Sequence, residues 1–196
     1  MTASPLLTGD NVIAGPARIY YGAFGATEPT DANVASAPAS AVWTTGGFTE
    51  GGIKVVSGYT FGEYHVDQVL LPVSARAQKQ EFTVTTNLAE ATIENLNNAW
   101  SGLGTISTGS GFKALDPPNM DGGTVPTFLA MILDGYAVTD STQSTRRMRL
   151  IVRKCLNIEP VSFAFEKDKQ RVFSVKISAL WVSDAIKPFH IATETA

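Results

Sequence analysis

The sequence predicts a mainly β protein carrying a single α-helix, on three observations. Apolar residues recur with period two along most of the chain, the pattern of strands with one buried face. Only one stretch carries a helical period. The 196 residues, 44% hydrophobic and 17% charged, supply enough apolar surface for a core within one domain spanning residues 1–196.

Taken in order, residues 1–15 read as an N-terminal arm with neither the basic region nor the apolar region of a secretory leader. Segment 25–41 (GATEPTDANVASAPASA) reads as a long loop or ordered arm. Residues 46–75 read as an extended hairpin in which IKVVSGYTF and YHVDQVLLPVS flank a break near Gly58 to Glu63. In the second run Tyr64, Val66 and Leu70 oppose Val69, Leu71 and Val73, so neither face is polar. Such a segment, with Pro72 in it, either is covered by something beyond its own sheet or is a strand buried on both sides.

Next, Phe82, Val84 and Leu88 alternate with polar neighbours, predicting a strand. A helix is predicted over 88–100, capped by Asn87 with Glu90 three positions on, its stripe made of Ala89, Ile93, Leu96 and Trp100 and its stop made by Gly102. The Gly- and Ser-rich segment 101–124 reads as loop. Residues 147–156 alternate, with Met148, Leu150, Val152 and Leu156 opposite Arg147, Arg149 and Arg153. Val161, Phe163 and Phe165 predict a strand that turns at 167–170 into the run 172–182, whose apolar face is Phe173, Val175, Ile177, Ala179 and Trp181. Residues 184–196 read as a C-terminal tail.

No catalytic, metal or cofactor site is legible. His65 and His190 are far apart in sequence and have no neighbouring Cys or spaced second His to complete a metal site. Cys155, the lone cysteine, excludes an internal disulfide and falls on an alternating strand, as a core or interface residue does. SGLGTISTGSGFK lacks the GK[ST] ending of a phosphate loop. The longest apolar run, around Phe128 to Leu133, is too short to span a bilayer, so a soluble protein made in a cytoplasm, without membrane insertion, is expected.

Charge is segregated. Residues 1–145 carry an excess of eight negative charges and residues 146–176 an excess of six positive ones, within a net charge of −3. The cluster Arg146, Arg147, Arg149, Arg153 and Lys154 has no interleaved aromatic stacking pattern. It therefore reads as a protein contact facing acidic surface of an adjoining copy, or as a solvated face, before it reads as a nucleic-acid site.

Several blocks resemble the major tail (tail tube) proteins of long, non-contractile-tailed bacteriophages. They are Arg18-Ile19-Tyr20-Tyr21-Gly22, Glu28-Pro29-Thr30-Asp31, and Trp43-Thr44-Thr45-Gly46-Gly47-Phe48-Thr49-Glu50-Gly51-Gly52; then Val66-Asp67-Gln68 with Pro72-Val73, Leu88 to Leu96, Leu133-Asp134-Gly135-Tyr136-Ala137 and Lys187-Pro188-Phe189-His190-Ile191. The order of the blocks carries the resemblance across nearly the whole chain. It implies an antiparallel β-sandwich or barrel-like tail tube fold with a helix on its flank and a long assembly hairpin. It further implies a non-enzymatic virion protein that assembles as stacked hexameric rings into the phage tail tube, the conduit for DNA ejection.

The implied partners are other copies of the chain, the tape-measure protein, the distal tail and tail terminator proteins, and duplex DNA passing through the lumen without specific binding. Inter-subunit contacts are expected from Phe61, Tyr64, Val66 and Leu70 and from Arg146, Arg147, Arg149 and Arg153. The alternatives are another ring-forming connector or injection-apparatus tube of the same fold, or a monomeric ligand-binding β-barrel.

Overall fold

A computed structural model describes residues 16–117, 126–136, 146–163, 167 and 170–194. The N-terminal arm lies outside the described residues. Among the described residues ten strands and one α-helix follow in order: β1 (Arg18–Ala23), β2 (Thr44–Thr45), β3 (Thr49–Val66), β4 (Val69–Leu88), α1 (Ile93–Ala99), β5 (Thr105–Gly109), β6 (Phe112–Asp116), β7 (Leu129–Tyr136), β8 (Arg147–Asn157), β9 (Phe173–Ala179) and β10 (Phe189–Thr193). The fold is mainly β, antiparallel throughout, with one short helix on its flank.

The main sheet runs β2-β1-β7-β8-β9-β4-β3 and forks at β8. One edge of β8 pairs with β7 along its length; the other pairs with β10 over Met148–Val152 and with β9 over Cys155–Asn157. The fork lets the β9-β4 branch fold over the β1-β7-β8 branch and bury a common core. Ile19, Tyr21, Met131, Leu133, Leu150 and Val152 meet Phe82, Val84, Leu88, Phe173, Val175 and Ile177 there. Phe82 stacks on Phe189 at 4.2 Å between ring centres, joining β4 to β10 across the gap. Covering side chains of this size contributes about 1.5–3 kcal/mol each.

Segment 24–43 is more than a loop. It lies over the outer face of the same three strands, where Tyr20, Trp43, Ala130, Ile132 and Ile151 form a second apolar cluster. Trp43 donates its indole N–H to the Thr27 carbonyl at 3.0 Å. Strands β1, β7 and β8 are thus buried on both faces, as the uninterrupted apolar run through Phe128 to Leu133 requires.

Several sequence expectations are corrected. The helix spans Ile93–Ala99 rather than 88–100, because β4 keeps its ladder with β9 as far as Leu88. Its cap is Thr92, whose hydroxyl accepts the Asn95 N–H at 3.1 Å, while Glu90 instead accepts the Phe48 N–H. Ser101 and Gly102, both at positive φ, end the helix as expected of a glycine just past a helix C-terminus.

Segment 101–124 contains the hairpin β5–β6, turning at Ser110–Gly111. Val161 to Phe163 is not a strand; it runs beside β9, with Phe163 edge-on to Phe173. Of the expected 167–170 turn, residues 168 and 169 lie outside the described residues. The tail 184–196 supplies β10. Trp181, expected in the core, is 68% exposed in this chain because β9 ends at Ala179.

Candidate assembly surface

The ladder between β3 and β4 continues beyond the body as a two-stranded ribbon. From Leu88 back to Phe82 alternate β4 residues are buried, and from Glu81 to the tip every β4 residue is exposed. The expected break at Gly58 to Glu63 is absent; β3 is continuous and the chain turns at Asp67–Gln68. Val66 and Val69, which a single-strand reading sets on opposite faces, are cross-strand partners. Register explains one of the ribbon's two apolar faces. Val55 pairs with Val84 and Ser57 with Phe82, so this face is the core-facing side of the sheet.

The same face continues outward through Tyr59, paired with Gln80, and through Phe61, paired with Ala77 after a bulge at Gln78. Tyr59 and Phe61 touch at 6.3 Å between ring centres, and the Gln80 side-chain amide donates to the Tyr59 hydroxyl at 3.2 Å. A core pattern therefore runs on past the point where its own core ends. The tip adds Leu70, wholly exposed, with Leu71 and Val73 beside it. Of the residues expected at a subunit contact, Phe61, Tyr64, Val66 and Leu70 all lie exposed on this ribbon. Tyr59, on the aromatic face with Phe61, was missed; the i, i+2 spacing of two aromatics was the available signal.

The arginine cluster is resolved differently. Arg149 is 1% exposed and forms a bidentate pair with Asp134 at 2.6 and 2.8 Å. Its guanidinium also donates to the Asn33 and Ser36 carbonyls at 3.3 and 2.6 Å. It is an internal tie between β8, β7 and segment 24–43, not a contact with an adjoining copy. Arg153 pairs with Glu28 of the same segment at 2.5 and 3.0 Å and donates to the Lys187 carbonyl. It too is satisfied within the chain. Lys154 lies over the Phe24 and Phe128 rings, and Arg147 is exposed with its guanidinium 4.6 Å from the Tyr136 ring centre. Alternation correctly made 149 a face opposite to Leu150, but that face is covered by residues 24–43 instead of water.

Burial pushes the Cys155 thiol up to about 12, and its S–H donates to the Leu129 carbonyl. Burial, and then the nearby Cys155, also raise Tyr21 well above the usual phenol range. His190 contacts Asp31 at 2.9 Å, and His65 lies 3.4 Å from Glu63 on the ribbon. Among the described residues no cluster of three or more His, Cys, Asp or Glu side chains is placed to hold a metal. No helix among them is long and apolar enough to cross a membrane.

No family model matches the chain, and no curated protein matches it. Among solved structures the chain is similar to an Hcp protein, at 14% identity over 84% of this chain and 88% of that one, with a TM-score of 0.35.

Proposed function

We propose that this chain is a structural, non-enzymatic subunit that assembles with copies of itself into a tube, as a major tail protein of a long, non-contractile-tailed bacteriophage. The observation that carries the self-assembly is the ribbon: a core-type apolar face, extended beyond the body and left without a partner in the single chain. The ordered sequence blocks support the phage tail in particular. In this reading the subunits form stacked hexameric rings around the tape-measure protein, capped by distal tail and terminator proteins, and the virion ejects duplex DNA through the lumen. A shared wall follows from size, since even barrels of 16 to 18 strands leave only a porin-like channel. This chain puts eight strands in its main sheet, with its interior filled by side chains.

Negative-stain electron microscopy of the purified protein, and cryo-electron microscopy of the native particle, test this reading. Long tubes with this chain in the wall are expected. A chain that decorates the particle as an isolated monomer overturns it, and isolated single rings favour a connector instead.

A further inference from the structure

We propose that the ribbon tip of one copy seats in the cleft beside Trp43 of a second copy, Leu70 and Leu71 filling it. This rests on reading the chain as a self-assembling subunit and names the surface that receives the arm. The cleft holds about 400 Å³, floored by the buried Trp43, Ala130 and Ile151 and rimmed by Phe24, Val182 and Ile186. Phe24 and Ile186 are each 46% exposed, so the rim is apolar as well as the floor. A cleft of this size and lining receives aliphatic side chains.

Reach excludes the tip's own body as the seat. From Ser57 to Val66 the ribbon extends for roughly ten residues, about 30 Å at 3.3 Å per residue. A chain of this length folds to a radius of gyration of about 16 Å. A hydrogen-bonded pair of strands does not double back over its own root, so the tip meets another molecule.

Charge selects this cleft over the larger one near α1. The tip carries Glu63 and Asp67 within a few residues of Leu70, with Arg76 set back at Gly62. Beside the Trp43 cleft Arg153 and Glu28 neutralise each other, leaving Lys154, which lies over the Phe24 ring, and Lys187 against Asp184, a small positive excess. The cleft lined by Trp100, Leu156 and Val161, about 640 Å³, instead presents Glu159, paired with Lys176 at 2.9 Å, so its charges cancel and it offers an acidic tip no positive excess. A tip on one surface and a seat on another make a heterologous contact, which repeats from copy to copy and does not close at two.

The test uses the full chain. A photo-crosslinking benzoylphenylalanine replaces Leu70 at high protein concentration, and the joined peptides are mapped. Crosslinks to residues 24–43 or 182–186 of a second copy are expected; crosslinks to residues 99–103 or 156–161, to added phospholipid vesicles, or to nothing overturn the proposal. In parallel, Leu70→Glu and Ile186→Glu, whose folding is checked by near-UV circular dichroism, should each lower assembly at least tenfold. Mixed together, they should give one-to-one pairs through the remaining intact tip and intact cleft. If Ile186→Glu assembles like the parent while Leu70→Glu does not, the cleft is wrong and the ribbon reading stands. If Leu70→Glu assembles like the parent, the ribbon reading itself fails.

Discussion

Arg149 is the residue whose charge matters most to the subunit. A guanidinium withdrawn from water is tolerable here because Asp134 and the carbonyls of residues 33–36 satisfy its donors. Arg149→Met leaves the Asp134 carboxylate facing an apolar neighbour and should cost about 3–5 kcal/mol in urea denaturation. The double variant Arg149→Met with Asp134→Leu should cost less than the two single changes added together. Cys155 makes a second prediction.

Its thiol is raised from an ordinary value of 9.0 to about 12, so the folded state favours the neutral form. The stability this contributes is complete below pH 9 and is lost between pH 9 and 12, at about 1.4 kcal/mol per pH unit, with Tyr21 adding in the same direction. Denaturation midpoints should fall across that range, and Cys155→Ala should flatten the decline. Trp181, by contrast, should be nearly silent in the isolated subunit, with Trp181→Ala within about 0.5 kcal/mol of the parent in the same assay.

At the scale of elements, the ribbon separates folding from assembly. Replacing Phe61 and Leu70 together by Ser removes apolar surface that the single chain leaves in water, so thermal unfolding should move by no more than about 2 °C while sedimentation shows lost polymer. A fall in unfolding temperature matching the loss of polymer makes the ribbon part of the ordinary core. Alternation made the ribbon legible because period two marks a strand whether or not a neighbour covers it. The turn was not legible, since Asp67–Gln68 lacks glycine, while Gly58 and Gly62 sit mid-strand and mimic a break. The Gly51–Gly52 pair, both at positive φ, does mark an irregularity, the bulge between Glu50 and Ile53.

Strands β1 and β7 were hidden for a different reason. Buried on both faces, they lose alternation, and only the cover from segment 24–43 explains their composition. The helix boundary misled because Asn87 and Glu90 satisfy a capping pattern that the β4–β9 ladder overrides.

For the whole molecule, the ribbon's eight exposed large apolar residues, Tyr59, Phe61, Tyr64, Val66, Val69, Leu70, Leu71 and Val73, set the energy of association. At about 1.5–3 kcal/mol for full cover of each, eight give roughly 12–24 kcal/mol, and less for partial cover, against the 4–15 kcal/mol that association costs, so one docked ribbon holds a pair only at high protein concentration. Stable assembly then requires each subunit to give and receive such contacts at once, so polymer should form above a sharp threshold concentration. If the chain forms a DNA conduit, as proposed, its charge distribution bears on how the wall meets the duplex. Of the five clustered cations, Arg149 and Arg153 are neutralised by Asp134 and Glu28, and Lys154 lies over two aromatic rings. The basic stripe written in the sequence is therefore mostly internal structure.

A duplex that must slide cannot release counterions to many fixed cations, because each phosphate neutralised adds to the salt dependence of binding and to the grip. Fluorescence anisotropy of a labelled duplex should accordingly show weak binding to the wild-type protein, with log K changing by no more than about 2 per decade of salt. Arg147→Glu should change it little. A slope of about 5 or steeper, lowered by about 1–2 in Arg147→Glu while assembly persists, identifies a phosphate-gripping face and overturns a passive conduit in favour of a DNA-binding protein.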